Sequence, residues 1–155
     1  MVEDISVSLS PISNMRDVET VRTHRNACKD FMTRNTEYIS SEQQAKWYYE
    51  LDKDNNRLLL LNKIHHGAVV EDIGYGYIRV ENGEVLLTGG ITSNERGKGY
   101  GYILFKNLVI FAEKYGLPIR LEVLKTNAAG IATYKKVGFK TIGEDDKIYR
   151  MEYTV

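Results

Sequence analysis

Arg96-Gly97-Lys98-Gly99-Tyr100-Gly101 separates an apolar stretch, Glu84 to Thr92, from a run with helical spacing, Leu104, Leu108, Phe111 and Tyr115. Three glycines in five residues weaken a helix start, a cost tolerated where the backbone must come close to something. A first helical turn leaves its N–H groups without intrahelical acceptors, and the helix dipole puts its positive end there. Such a turn suits an anion. Arg96 and Lys98 add charges that can pair with phosphate oxygens. Two other phosphate loops are excluded. The G-x-G-x-x-G pattern fails because Tyr102 stands three residues after Gly99, and no Gly-Lys-Ser/Thr ending follows. By itself the turn reads either as a phosphate cradle or as a tight connection.

The pattern on either side places this turn in a mixed sheet. Ile5 to Leu9 alternates apolar and polar residues, a short strand that Pro11 is expected to break. Ser13 or Asn14 can cap an amphipathic helix over about residues 14–32, with Met15, Val18, Val21, Cys28 and Phe31 on one side. Ser41 and Gln44 resemble a capping box opening a second helix through Trp47, Tyr48 and Leu51. Asp52 to Asn56 is a polar turn. Three strands follow, Arg57–Ile64, Ile73–Val80 and Glu84–Thr92, separated by His65-His66-Gly67 and by Glu81-Asn82-Gly83. Asn-Gly between two apolar runs marks a hairpin, because both residues tolerate positive φ. Gly99 to Tyr115 is a helix ended by Gly116, with Pro118 beyond. Ile119–Leu124 is a buried strand, Ala128–Val137 a helix stopped at Gly138, and Lys140–Gly143 with Ile148–Tyr153 a last hairpin. The order is βααβββαβαββ, an α/β (α+β) chain with helices packed on one sheet.

Composition narrows the function classes. The chain has 155 residues, the size of a single domain over 1–155, at 43% hydrophobic and 27% charged. One cysteine, Cys28, excludes an internal disulfide framework and fits a cytoplasmic protein. No apolar run reaches the ~18 residues of a membrane span, and Met1-Val2-Glu3-Asp4 lacks the basic flank of a signal peptide. Net charge is zero, which argues against nucleic acid as a partner. The balance is a cancellation, however. Residues 96–140 hold nine Lys or Arg and two acids, and the remainder holds 12 basic and 19 acidic side chains. The positive share surrounds the glycine-rich turn, as an anionic ligand requires.

Arg96-x-x-Gly99-x-Gly101 resembles the acyl-CoA pyrophosphate signature R/Q-x-x-G-x-G/A of the GCN5-related N-acetyltransferases. Leu121-Glu122-Val123, then Asn127 and Ile131-Ala132-Thr133-Tyr134-Lys135-Lys136-Val137-Gly138-Phe139, resemble the family's second signature. The two occur in the family's order, one helix and one strand apart. Gly130 departs from the usual alanine. The resemblance is specific over residues ~84–140 and topological over the first ~80.

The resemblance implies a mostly antiparallel sheet of six to seven strands, about four flanking helices, and a V-shaped splay between two central parallel strands, Glu84–Thr92 and Ile119–Leu124. It implies acetyl-CoA as acyl donor, no metal, and direct attack by a primary amine. Ile91 and Ser93 would pair with the pantetheine, Arg96, Gly97, Lys98, Gly99, Tyr100 and Gly101 would hold the pyrophosphate, and Asn127 and Tyr134 would complete the cofactor site. Gly89-Gly90 fits either a β-bulge that opens the splay or a simple bend.

An alkylammonium, with pKa near ~10.4, must lose a proton before it attacks. Glu122, twelve residues before Tyr134, matches the Glu/Tyr spacing of ribosomal-protein N-terminal acetyltransferases in this family and is the candidate base. Glu84 or a water chain is the alternative, and a plain strand ion pair is the structural reading. Tyr134 is the candidate acid for the departing thiolate, or else a core tyrosine.

Arg25-Asn26, Phe31-Met32, Ile39-Ser40 and Glu42…Trp47 resemble, over a short span, the first half of nucleotide-linked amino-sugar N-acetyltransferases. Such a likeness would put the first helices at the acceptor, with Arg25 and the aromatics Trp47, Tyr48, Tyr49, Tyr75 and Tyr77 available to line its pocket. Arg25 has the simpler reading of an arginine paired with a carboxylate. His65-His66 has no third metal ligand beside it, and Cys28 reads as helix packing. The acceptor is then a small-molecule amine, with a protein N-terminus or lysine as the alternative, or the domain is a non-catalytic acyl-CoA binder. A homodimer through the last strands, a pairing frequent in this family, is a further expectation.

Overall fold

The computed structural model describes residues 5–12, 14–29, 37–51, 57–66, 69–91 and 99–154. Its elements are β1 (Ile5–Pro11), α1 (Met15–Ala27), α2 (Ser41–Leu51), β2 (Arg57–His66), β3 (Val69–Glu81), β4 (Glu84–Ile91), α3 (Tyr100–Glu113), β5 (Ile119–Leu124), α4 (Ala128–Val137), β6 (Phe139–Glu144) and β7 (Ile148–Tyr153). The strands form one sheet in the order β1-β2-β3-β4-β5-β7-β6. Every neighbouring pair is antiparallel except β4 and β5, which are parallel. Asn82 (φ 51°) and Gly83 (φ 74°) turn the β3–β4 hairpin, as Asn-Gly requires.

Strand alternation divides the core between the two faces of the sheet. Leu60, Ile78, Val85, Leu87, Leu121, Val123 and Met151 point to one face, where α3 inserts Leu104, Phe105, Leu108 and Val109 and α4 adds Tyr134. Leu61 and Tyr75 point to the other, beneath Val21 of α1, Cys28 at its C-cap and Trp47 of α2. Glycines let these helices approach closely. A Cβ on Gly76 would stand 2.7 Å from Leu108 Cδ2, and one on Gly90 would stand 2.6 Å from Cys28 Sγ. This explains Gly89-Gly90 without a bulge. The β3–β4 ladder runs in unbroken register from Gly74↔Ile91 to Glu81↔Glu84, and the irregularity lies instead between Asn62 and Lys63 of β2.

Other boundaries move for identifiable reasons. Asn14 caps α1, its Oδ1 accepting the Asp17 N–H at 2.9 Å. The capping box of α2 is one residue earlier than expected. Ser40 Oγ accepts from the Gln43 N–H at 3.2 Å, and Gln43 Oε1 accepts from the Ser40 N–H at 2.9 Å. Gln44 is only 4% exposed, so its side chain is turned inward and cannot fold back onto the cap. Pro11 ends β1 from within, at the edge of the sheet where no ladder N–H is needed. His65 and His66 extend β2, with His65 Nε2 2.8 Å from Ser8 Oγ. The expected turn at residues 52–56, the end of the first expected helix (residues 30–32), Gly67 and Thr92 lie outside the described residues.

The feature that makes a site is the shortness of the parallel pairing. Among the described residues, only Val85↔Ile119 and Leu86↔Arg120 join β4 to β5, with the Val85 N–H donating to the Pro118 carbonyl at 2.8 Å. Beyond Leu86 the two strands part, while β4 stays on β3 and β5 stays on β7.

Candidate active site

The gap between the strands opens into a cavity of about 870 Å³. Its walls come from both faces of the sheet. On the α3/α4 face they include Gly99, Gly101, Tyr102, Asn127, Thr133 and Tyr134, and on the α1/α2 face Arg25, Cys28, Trp47, Tyr75, Tyr77 and Arg79. The residues where β4 and β5 separate, Leu86–Ile91 and Leu121–Val123, lie between. The gap is therefore a slot through the sheet that joins two half-sites.

At the α3 end of the cavity, Gly99 caps α3 with φ 83°, the left-handed region, and a Cβ there would meet nothing within 4 Å. The first N–H groups of α3, on Tyr100, Gly101 and Tyr102, have no acceptor within the helix. The Tyr100 ring packs against the main core, so this residue offers the site its backbone and not its side chain. Lys136 Nζ stands 4.8 Å from the Tyr102 ring centroid, beside the same turn. Asn127 lines the cavity and also caps α4, its Oδ1 accepting from the Gly130 N–H at 2.9 Å. Gly130 leaves room for this: a Cβ there would fall 2.5 Å from Asn127 Nδ2, so with alanine the Asn127 side chain would have to shift. Ile91, 8% exposed, lines the gap at the end of β4. Ser93, Arg96, Gly97 and Lys98 lie outside the described residues.

Tyr134 and Glu122 both border the gap, from opposite faces. Tyr134 comes from α4 on the core side, wedged against Phe105 (ring centroids 4.7 Å) and Phe139 (6.3 Å). Burial raises its phenol pKa above the ordinary value, and the Cys28 thiol acts in the same direction. Tyr134 thus keeps its proton at neutral pH. Glu122 alternates with the buried Leu121 and Val123 and so points to the α1/α2 face, its register partner on β7 being Arg150. Glu84 is placed otherwise. Its Oε2 accepts from Arg120 Nη1 at 2.6 Å, and Arg120 Nε donates to Glu152 Oε1 at 3.0 Å. This cluster sits where β4 and β5 are still paired, and Glu84 does not line the cavity.

The α1/α2 side brings together Arg25, Trp47 and Tyr77, the last two with rings edge-on at 5.3 Å. Tyr75, 2% exposed, has its pKa raised by burial first and by Cys28 next, opposed by Arg25 and reinforced by Tyr134. These four side chains face one space. Tyr48 packs on the α1 cluster, and the Tyr49 side chain lies outside the described residues. Sequence reasoning missed Gln44, Arg57 and Arg79 as lining residues. Arg79 could have been found, because Tyr75, Tyr77 and Arg79 follow the two-residue period of one strand face.

The model of the acetyltransferase (GNAT) family matches residues 25–139. The chain belongs to the GNAT family of acetyltransferases. No curated protein matches the sequence. Among solved structures, a domain from Methanocaldococcus jannaschii DSM 2661 is 16% identical, with 96% of this chain and 99% of that one covered at a TM-score of 0.81. Spermidine N-acetyltransferase from Vibrio cholerae, in complex with CoA and spermine, is 18% identical over 94% of each chain, with a TM-score of 0.77. An acetyltransferase of the GNAT family from Streptococcus pneumoniae is 17% identical over 96% of this chain and 100% of that one, with a TM-score of 0.72. At these identities the likeness is one of fold. Membership of the family makes acetyl-CoA the acyl donor. The residues here fit that donor: an open glycine cradle at the start of α3, and strand edges without ladder partners where a chain of amides can pair. Among the described residues no group of three or more His, Cys, Asp or Glu could hold a metal ion, and no helix is long and apolar enough to cross a membrane.

Proposed function

We propose that this GNAT acetyltransferase transfers acetyl groups to a small primary amine by direct attack. One observation carries the reading. The cofactor gap leads through the sheet into a second half-site walled by α1, α2 and the segment Glu37–Ile39, a chamber on the scale of a small molecule rather than a flat groove for a chain.

Each residue then has a physical task. The backbone edges of β4 and β5 and the N–H groups of Tyr100–Tyr102 bind and orient the donor. When bound, acetyl-CoA supplies an acyl group activated as a thioester. Glu122, on the acceptor side, collects the ammonium proton, directly or through water. Tyr134 holds a proton at its phenol oxygen on the opposite side, where a departing sulfur needs one. The high pKa that burial gives Tyr134 makes it a donor only in concert with bond breaking, since a thiolate of ordinary pKa ~8.5 is the weaker base. Trp47 and Tyr77 exclude water and shape the pocket.

Release of free thiol from acetyl-CoA with a panel of primary amines tests the reading. Tyr134→Phe should lower kcat about 100-fold or more across pH 6–9, the usual effect of losing a general acid, with KM for acetyl-CoA little changed. An unchanged kcat would remove Tyr134 from the acid role, and no release with any amine despite acetyl-CoA binding would refute the transferase reading.

A further inference from the structure

Arg57 and Arg79 are direct register partners across the β2–β3 ladder, and both line the cavity. Directly opposed side chains stand on the same face about 4.5–5.5 Å apart at Cβ, and like charges so placed repel. These are not arginines reaching freely into water. Arg57 is half-buried, and the Arg79 side chain is 24% exposed. Arg79 continues the row of Tyr75 and Tyr77, with its guanidinium carbon 6.0 Å from the Tyr77 ring centroid. Arg25 of α1 adds a third guanidinium to the same half-site. Three carboxylates stand beside them. Glu37 and Glu122 line the cavity, and Glu81 Oε1 lies 3.7 Å from Arg79 Nη2, beyond hydrogen-bond distance.

Position adds a length scale. Leu86, the register partner of Arg79, is the last β4 residue still paired with β5. The arginine pair therefore stands two to four strand positions from Thr88–Gly90, roughly 7–14 Å at ~3.4 Å per residue. A small molecule with its amine in the gap could reach the pair with a group at its far end. Two guanidiniums side by side present parallel N–H donors suited to a carboxylate or phosphate.

We propose that Arg57 and Arg79 form an anion-binding subsite for the acceptor, so that the amine acetylated is one carrying a carboxylate or phosphate. This rests on the transferase reading above. On this proposal a polycationic amine, which has no group for the pair to hold, is the poorer acceptor.

The test uses matched acceptors in the thiol-release assay: a hexosamine against its phosphate, a diamino acid against its amide, and spermidine as the polycation. The anionic member of a pair should have the higher kcat/KM by at least ten-fold, and the pair showing it distinguishes phosphate from carboxylate. Arg57→Gln and Arg79→Gln should each raise KM for that acceptor about 10- to 100-fold and collapse the preference, with KM for acetyl-CoA unmoved and Arg79→Lys partly restoring it. Preference for the neutral or cationic amine in the wild type, or equal loss for both members in the variants, would overturn the subsite. If no amine is acetylated although acetyl-CoA binds, the transferase reading fails first. Melting temperature then decides the subsite separately: inorganic phosphate should raise Tm of the wild type more than that of the Arg57→Gln/Arg79→Gln double variant, and an equal rise overturns it.

Discussion

Replacing Gly90 by alanine adds one carbon at the point where α1 rests on the sheet. That carbon would stand 2.6 Å from Cys28 Sγ, 3.2 Å from Cys28 Cβ and 3.4 Å from Tyr75 Cε1, where unstrained carbon contacts run about 3.5–4.0 Å. Gly90 is not among the positive-φ glycines, so backbone strain does not enter, and stiffening of the unfolded chain favours alanine by about 0.4–1 kcal/mol. The overlap with sulfur approaches an ångström. Rotating Cys28 away would forfeit its 3.6 Å contact with the Ile91 carbonyl in a site where Cys28 is 2% exposed, and otherwise α1 must lift. Overpacking of this kind costs about 1–3 kcal/mol. The net loss should be about 1–2 kcal/mol, or roughly 2–8 °C in Tm for a chain of this size. A double-mutant cycle separates the cause. Cys28→Ala alone leaves a small cavity costing about 1 kcal/mol, but combined with Gly90→Ala it removes the sulfur that clashes. Chemical denaturation of the four proteins should show the double variant at least 1 kcal/mol more stable than the two losses added together. Additivity within about 0.5 kcal/mol would refute the claim that contact with Cys28 is why residue 90 is glycine.

Other outcomes follow from the same geometry. Glu84→Gln should retain kcat, because Glu84 is held by Arg120 away from the cavity; its stability loss should stay below about 1 kcal/mol and shrink with salt, as expected for a partly exposed pair, and a large fall in kcat at fixed acetyl-CoA would return it to the role of base. Asn127→Ala should cost about 1 kcal/mol through the lost cap of α4, read from denaturant midpoints. Burial lowers the pKa of His24, with Asp72 acting weakly in the opposite sense. The unfolded chain therefore binds the extra proton first, so stability should be full above the unfolded pKa of about 6.5 and fall as pH drops below it. Tm measured from pH 7.5 to 5.5 should fall less steeply in His24→Leu than in the wild type.

The sequence carried the connectivity and left the register hidden. Ile119–Leu124, Ala128–Val137 and Ile148–Tyr153 have the boundaries that periodicity and the flanking glycines predict, because those signals are local. The gap between β4 and β5 was legible only through the family resemblance, since two strands leaving each other makes no mark in either one. Arg57 illustrates the rest. Beyond the irregularity at Asn62/Lys63, Lys63↔Asp72 and Ile64↔Glu71 follow one register, and Arg57↔Arg79 to Asn62↔Gly74 follow another shifted by one residue. Continued without the shift, Arg57 would oppose Ile78, on the face covered by α3. Nothing in the residues around Lys63 announces the extra one on β3, the buried Ile73, so the meeting of two arginines in the cavity could not be read in advance. Gly89-Gly90 failed for a related reason: a glycine needed by a helix overhead looks the same in sequence as one needed by its own strand.

Among the described residues, two residue pairs are all the ladder that ties strands β1–β4 to β5–β7. Mechanically the sheet is two leaves on a short hinge, clasped at the spine by Arg120 between Glu84 on one leaf and Glu152 on the other. Along the open edge, the load between leaves passes through side chains instead of backbone bonds: Leu104, Phe105 and Leu108 of α3 share a core with Leu87 and Ile91 of the first leaf and Leu121 and Val123 of the second. Helix α3 is therefore a brace as well as a wall of the cavity, which its first turn lines. Under the proposed function, one rigid part then sets both the width of the gap and the seating of the cofactor's phosphates.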